Sequence, residues 1–277
     1  MTVPKQARQR NDDGPRTYAW PPQPPHEMEV LSVTTAMNSL AKPFLVGWAA
    51  KMTAECAIED REIIEAMLKK KNGKAAALAH LKQARYRDSG GKADRGTIVH
   101  ATVEAYLAGK PVDPEHIQFL LDEKGVPEHL HAATFKMVDG AMEFLFDFEP
   151  EIIWSEATIY SREHQYAGTT DIIARCMVGR KKLPVVIDFK ASKAIYNEVA
   201  MQLTAYGRAD FVGMDDGTEV PLLDSGEPIR HGLCVRPLAS GKYEHANFDL
   251  TDEVMNKFLA CLELSDAERV LARARRA

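Results

Sequence analysis

An aspartate and a lysine two residues apart in an apolar run are the clearest chemical signal in this chain. In Pro184-Val-Val-Ile-Asp188-Phe-Lys190, strand alternation puts Asp188 and Lys190 on one face and Ile187 and Phe189 on the other. Upstream, Gly168-Thr-Thr-Asp171 opens a second run rich in β-branched residues. Gly179-Arg180, between the two runs, suits a type II′ hairpin turn. Asp171 and Asp188 lie equally far from that turn, so they face each other across an antiparallel pair. Their Cβ atoms are then roughly 5 Å apart, and at an effective dielectric of about 20 two such anions repel by about 3 kcal/mol. Either one carboxyl is protonated or a cation lies between them. A divalent ion removes the conflict and gains oxygen ligands. Lys190 beside it can hold a water or offset charge on a phosphate, and Gly168 permits a close backbone approach or a bend.

Three further groups fall at suggestive positions. Gln202 and Tyr206 are four apart on a helical stretch, so both can lean over one site; the alternative is that Tyr206 packs with Val199 and Leu203 while Gln202 is merely exposed. His100 follows Gly96 on an earlier helix and is either a structural histidine or a metal ligand, with imidazole acceptable to manganese and tolerable beside magnesium. Glu104, one turn later, either orients His100 or is an ordinary surface glutamate. Glu156, in Ser-Glu-Ala-Thr-Ile-Tyr, reads on its own as a solvent-facing strand residue.

These side chains need a scaffold, and the pattern supplies one. Residues 1–29 contain six prolines and few apolar residues and read as a disordered arm. Periodicity predicts helices near 34–41 and over 45–71, 96–107 and 127–148. Strands follow at 151–160, 170–178 and 184–190, then a helix over 197–211, strands at 232–238 and 243–249, and a closing helix over 252–275. Residues 30–277 thus form one domain, helical over 30–150 and sheet-bearing over 151–277.

The ordered set of motifs resembles the PD-(D/E)XK nuclease superfamily, in particular its RecB-type branch, which includes exonucleases of tailed bacteriophages. The resemblance covers about 30–250. Gly168-x-x-Asp171 matches the acidic first element, Asp188-Phe189-Lys190 the second, Gln202-x-x-x-Tyr206 the QxxxY motif and Gly96-x-x-x-His100 the histidine element. It implies an α/β fold of mixed α+β type, with a restriction-endonuclease-like αβββαβ core, a mixed central sheet and an N-terminal helical region. It also implies a Mg²⁺- or Mn²⁺-dependent deoxyribonuclease, an exonuclease by analogy, acting on a duplex end or a single strand in recombination, repair or replication. His100, Asp171, Asp188 and the Phe189 carbonyl are then the expected metal ligands, with Lys190, Gln202 and Tyr206 completing the catalytic set, and Glu156 either approaches the metal region, as a glutamate there does in related nucleases, or faces solvent. A recombination or helicase protein is the expected partner. The cluster-bearing relatives need a tight group of three cysteines; Cys56, Cys176, Cys234 and Cys261 are scattered, so no iron–sulfur cluster is expected and the cysteines read as core residues. Two other readings stay open: a non-cleaving DNA-binding relative acting as a recombination or packaging partner, and a metal-dependent hydrolase of another phosphoester or amide.

Composition narrows the classes. The 277 residues are 45% hydrophobic and 27% charged, enough to bury a core. The apolar stretch from Phe44 to Ala50 is far shorter than the ~18 residues of a membrane span, and no secretory signal is visible, so a cytoplasmic protein is expected, in host cytoplasm if phage-encoded. A net charge of −5 argues against a protein coated in basic residues. Between Lys69 and Arg95, however, nine basic residues meet only Asp88 and Asp94. This run is either a solvated helical surface or a phosphate-tracking patch. In the second case Lys82, Arg85, Arg87, Lys92 and Arg95, with Lys193, contact DNA.

Overall fold

The computed structural model describes residues 7–9, 16–20 and 28–274 and has the expected mixed α+β architecture. Strands β1 (Ala7–Gln9), β2 (Arg16–Trp20) and β3 (Met28–Ser32) precede a helical region. It comprises α1 (Val33–Met37), α2 (Phe44–Glu59), α3 (Arg61–Leu68), α4 (Gly73–Leu107), α5 (Pro114–Glu123) and α6 (His131–Phe148). Then come β4 (Glu151–Ser161), β5 (Tyr166–Val178), β6 (Lys181–Phe189) and α7 (Val199–Gly207). The chain continues through β7 (Phe211–Gly213), β8 (Glu219–Pro221), β9 (His231–Pro237), β10 (Tyr243–Asp249) and α8 (Asp252–Ala274). The succession α6-β4-β5-β6-α7-β9 gives the αβββαβ order, with β7 and β8 inserted before β9.

The β5–β6 hairpin turns where its sequence suggests. Gly179 has φ of +62° while Arg180 stays outside the positive-φ region, as a type II′ turn requires. Antiparallel pairing runs from Val178↔Lys181 back to Ile172↔Ile187. β6 pairs in parallel with β9, which pairs antiparallel with β10. β4 covers the other edge of β5.

Where the hairpin stops pairing, the sheet divides. One edge of β5 takes β3 in parallel at Tyr166 and Ala167, and takes β6 only from Ile172 onward. Gly168 to Asp171 lie between these two stretches, where β3 and β6 diverge. Helices cover both faces. Ile172, Ala174, Ile187 and Phe189 pack with Val99 and Val103 of α4 and Phe144 of α6. Ile173 and Val186 pack with Val33, Leu203, Tyr206 and Phe258 of α1, α7 and α8. Burying a side chain as fully as Phe144 contributes about 1.5–3 kcal/mol.

Several local expectations need correction. Within 1–29, the stretch read as a disordered arm, the described residues form β1, β2 and the start of β3. Tyr18 and Ala19 are buried, because β2 pairs with β3 and β3 with β5; proline density reports local preference and is blind to such a remote partner. The single helix expected over 45–71 breaks at Asp60 into α2 and α3, and the helix expected from Gly96 begins at Gly73 instead. A side chain at Gly73 would collide with the Met67 carbonyl oxygen, so the α3–α4 corner needs glycine. The helix α5 and the short strands β7 and β8 are additional. Among the described residues no helix is long and apolar enough to cross a membrane.

Candidate metal and acid cluster at the split in the sheet

Three carboxylates cross the sheet in a row. The β4–β5 ladder pairs Ser155 with Ile172 and Ala157 with Thr170, which sets Glu156 beside Asp171. The β5–β6 register carries the row on to Asp188. Glu156 has φ of +49°, a left-handed conformation inside a strand that costs on the order of 1–3 kcal/mol and persists because the flanking pairs fix it.

Asp171 uses the split. With no ladder pair beyond Ile172↔Ile187, its Oδ2 accepts from the Phe189 backbone N–H at 2.7 Å. The same oxygen lies 3.3 Å from His100 Nδ1, which reaches it from α4. Gly96, one turn earlier, lets α4 approach: a Cβ there would stand 3.1 Å from Ala191 Cβ. Phe189 turns its ring into the α4–α6 core, edge-on to His100 and Phe144. Donor atoms of His100, Glu156 and Asp171 all lie within 4.8 Å of one another.

Asp188 points to the α7 face and is 2% exposed. Lys190 Nζ donates to its Oδ1 at 2.9 Å and stands 2.7 Å from its Oδ2. Gln202 Nε2 donates to the same Oδ1 at 3.1 Å and to the Tyr206 hydroxyl at 3.0 Å. Gln202 is therefore no bystander, and Tyr206 both packs in the core and anchors the amide. Gly168 makes room for that ring, since a Cβ there would sit 2.7 Å from Tyr206 Cε1. Lys190 keeps 28% of its side chain exposed, so its ammonium faces the crevice while paired.

The charges interact strongly. Burial and the neighbouring Asp171 push Glu156 up to about 7. Burial, reinforced by Asp171 and opposed by Lys190, pushes Asp188 up to about 6. Burial disfavours the His100 imidazolium, but the Asp171 carboxylate outweighs it and holds the ring up at about 9. Asp171 itself is held low: His100, Lys190 and the Phe189 N–H outweigh its burial. Without an ion, the proton on His100 is the cation that balances Asp171. Two carboxylates and an imidazole suit a hard or borderline divalent ion such as Mg²⁺ or Mn²⁺. The residues present thus fit the expected metal. Asp188 stands beside this donor set, with its carboxylate against Lys190.

Glu104 is exposed and lines the mouth of the crevice. Arg16, Tyr18 and Thr169 also line it, and Tyr18 and Thr169 share a hydrogen bond of 3.0 Å between their hydroxyls. Sequence reasoning missed these three; the alternation of Arg16-Thr17-Tyr18-Ala19-Trp20 before Pro21 was the available signal. Of the expected DNA contacts, Lys82 and Arg85 are exposed on α4, with Arg85 against the Tyr86 ring, and Lys193 is exposed after β6. Arg95 is partly buried, and the side chains of Arg87 and Lys92 lie outside the described residues. Comparison with protein-family models and with curated proteins returns no match.

Proposed function

We propose that this protein is a divalent-metal-dependent deoxyribonuclease, related in design to the RecB-type PD-(D/E)XK nucleases and acting as an exonuclease in cytoplasmic DNA recombination, repair or replication. One observation carries the reading: three carboxylates from adjacent strands meet His100 at the split in the sheet, with Lys190 clamped beside them. His100, Glu156 and Asp171 would hold Mg²⁺ or Mn²⁺, which when bound polarises a phosphoryl oxygen and makes a coordinated water more acidic.

The protein's own groups do the rest. His100 can ligate only as neutral imidazole, so ion uptake expels the proton now balancing Asp171. Lys190, partly exposed and held by Asp188, presents its ammonium to the negative charge that grows on the phosphate. Gln202 and Tyr206 fix Asp188, and through it the lysine. The Phe189 N–H holds the Asp171 carboxylate in place. Arg16 lines the same crevice and offers a further cation to a phosphate. Lys82 and Arg85, about 22–27 Å from His100 along α4 at 1.5 Å per residue, supply contacts to the nucleic acid beyond the scissile bond.

The decisive assay digests end-labelled linear duplex beside a covalently closed circle, with Mg²⁺, Mn²⁺ and a chelator tested separately. Metal-dependent loss of the linear substrate alone supports the exonuclease. Binding without cleavage under either ion overturns it in favour of a non-cleaving DNA-binding protein.

A further inference from the structure

The helical region holds a second cluster of chemistry-bearing side chains, about 30 Å from His100 along α4. Cys56 lies in the last turn of α2, Asp60 occupies the break between α2 and α3, and His80 projects from α4. Asp60 Oδ2 accepts from Cys56 Sγ at 3.3 Å and lies 2.7 Å from His80 Nε2. The sulfur, a carboxylate oxygen and a ring nitrogen all fall within 4.8 Å of one another. The thiol is buried, whereas the imidazole and carboxylate side chains are 18% and 32% exposed, which leaves an approach from solvent.

We propose that Cys56, Asp60 and His80 form a binding site for a zinc-class transition-metal ion, with a fourth position left to water. The donors select the class: thiolate and imidazole favour Zn²⁺ over the hard Mg²⁺ suited to the carboxylate crevice. In a tetrahedral site, with metal–donor distances of about 2.0–2.3 Å, neighbouring donors stand roughly 3.3–3.6 Å apart. The sulfur–oxygen pair already has that spacing, and the nitrogen–oxygen pair needs to open by about 0.6 Å. On uptake the thiol releases its proton to solvent and the sulfur lone pair forms the bond to the metal; the imidazole ligates through the Nε2 lone pair with its proton on Nδ1. No oxidant or reductant enters.

The surroundings give such an ion a structural task. Cys56 is the sole buried residue of α2, and α3 buries none. Apolar packing therefore does little to fix α2 and α3 against α4, and an ion ligated from α2, the corner and α4 ties all three. This site stands independently of the nuclease reading.

Cobalt is the probe, because a thiolate ligand gives Co²⁺ a sulfur-to-metal charge-transfer band that carboxylates and imidazole cannot. Titrating the metal-free full-length protein should produce that band, saturating at one equivalent and bleached by Zn²⁺. Cys56→Ser should abolish it, while Glu156→Gln in the crevice should leave it intact. Loss of an outer-shell partner alone weakens metal binding about 10–100-fold, so His80→Gln, which removes a ligand, should weaken Zn²⁺ binding by more than about 100-fold. Absence of the band from the unaltered protein overturns the site, as does its survival in Cys56→Ser. Should Cys56→Ser fail to fold, unchanged Zn²⁺ affinity in His80→Gln overturns it equally.

Discussion

The two ends of α4 live in different surroundings. Toward its C-terminus, Ile98, Val99 and Val103 are buried against the sheet, and His100 reaches carboxylates that are themselves desolvated. Toward its N-terminus the buried apolar side chains, among the described residues, are Ala77 and Ala84, while Lys74, Lys82 and Arg85 stand in solvent. Burial makes the first region's charges interact strongly, because a low dielectric magnifies each neighbour. Exposure makes the second region's charges weak individually and additive along a polyanion. On the proposed function, one helix would join a place for bond-breaking to a place for holding a long substrate.

If packing separates the regions, truncation should hurt them unequally. Phe144 is fully buried, with its ring edge-on to Phe189 and Tyr243. Phe144→Ala should cost about 3–5 kcal/mol in urea denaturation. Ile63 of α3 is half exposed, and Ile63→Ala should stay within about 0.5 kcal/mol. Equal losses would erase the contrast.

On the proposed mechanism, the catalytic contrast is nearly as large. Lys190→Met should slow cleavage about 10²–10³-fold, the usual cost of removing one charge-stabilising donor. The fold should survive, since Asp188, already pushed up to about 6, can take a proton once its partner is gone. Unaltered circular dichroism with cleavage slowed to that degree fits this role; undiminished cleavage by a folded Lys190→Met protein removes the lysine from the mechanism.

Stability against pH sharpens the comparison from the side of burial. In the presence of a chelator, Glu156 and Asp188 hold protons up to about 7 and about 6, against 4.5 and 3.8 as free groups. The folded state therefore binds protons that the unfolded chain has released, and stability falls as pH climbs through this window. His100, raised from 6.5 to about 9, adds stability that is complete below 6.5 and lost as pH climbs through 9. Asp171, held low, works oppositely only at more acid pH. Thermal unfolding followed from pH 5 to 9 should show a declining Tm with chelator and a flatter profile with Mn²⁺, which replaces the protons. A chelated protein with a flat profile contradicts the cluster's electrostatics.

How legible was all this beforehand? The hairpin was legible because a II′ turn fixes register locally: Gly179-Arg180 alone determines that Ile172 meets Ile187, and hence that Asp171 and Asp188 lie across from one another. Gln202 and Tyr206 were legible from helical spacing. Glu156 was only half legible, since its place in the donor set depends on a left-handed backbone that no strand pattern announces. Asp188 was legible as a site residue from the hairpin, but its hydrogen bonds to Lys190 and Gln202 depend on the length of the lysine and the approach of α7, and neither is a matter of local spacing. Arg16 and Tyr18 were only faintly legible: the alternation over 16–20 hints at a strand, but β2 owes its place to β3 and β5. The cluster of Cys56, Asp60 and His80 was hidden by the helix break at Asp60, which bends α3 away and lets α4 return alongside α2.

The smallest expected effect tests the exposed end of α4. Each duplex phosphate that the protein ceases to neutralise reduces the slope of log affinity against log salt by about 0.9. Replacing Lys82 and Arg85 together with glutamine should therefore flatten that slope by up to about 1.8 and weaken binding to all sequences alike. Cleavage of bound DNA should continue at its former rate, because both side chains lie more than about 20 Å from His100 along the helix. Filter binding across a salt series gives the slope, and single-turnover cleavage gives the rate. An unchanged slope makes the basic run a solvated surface and removes α4 from the substrate path. A slower single-turnover rate means instead that this end of the helix positions the scissile phosphate, and the division between holding and cutting fails.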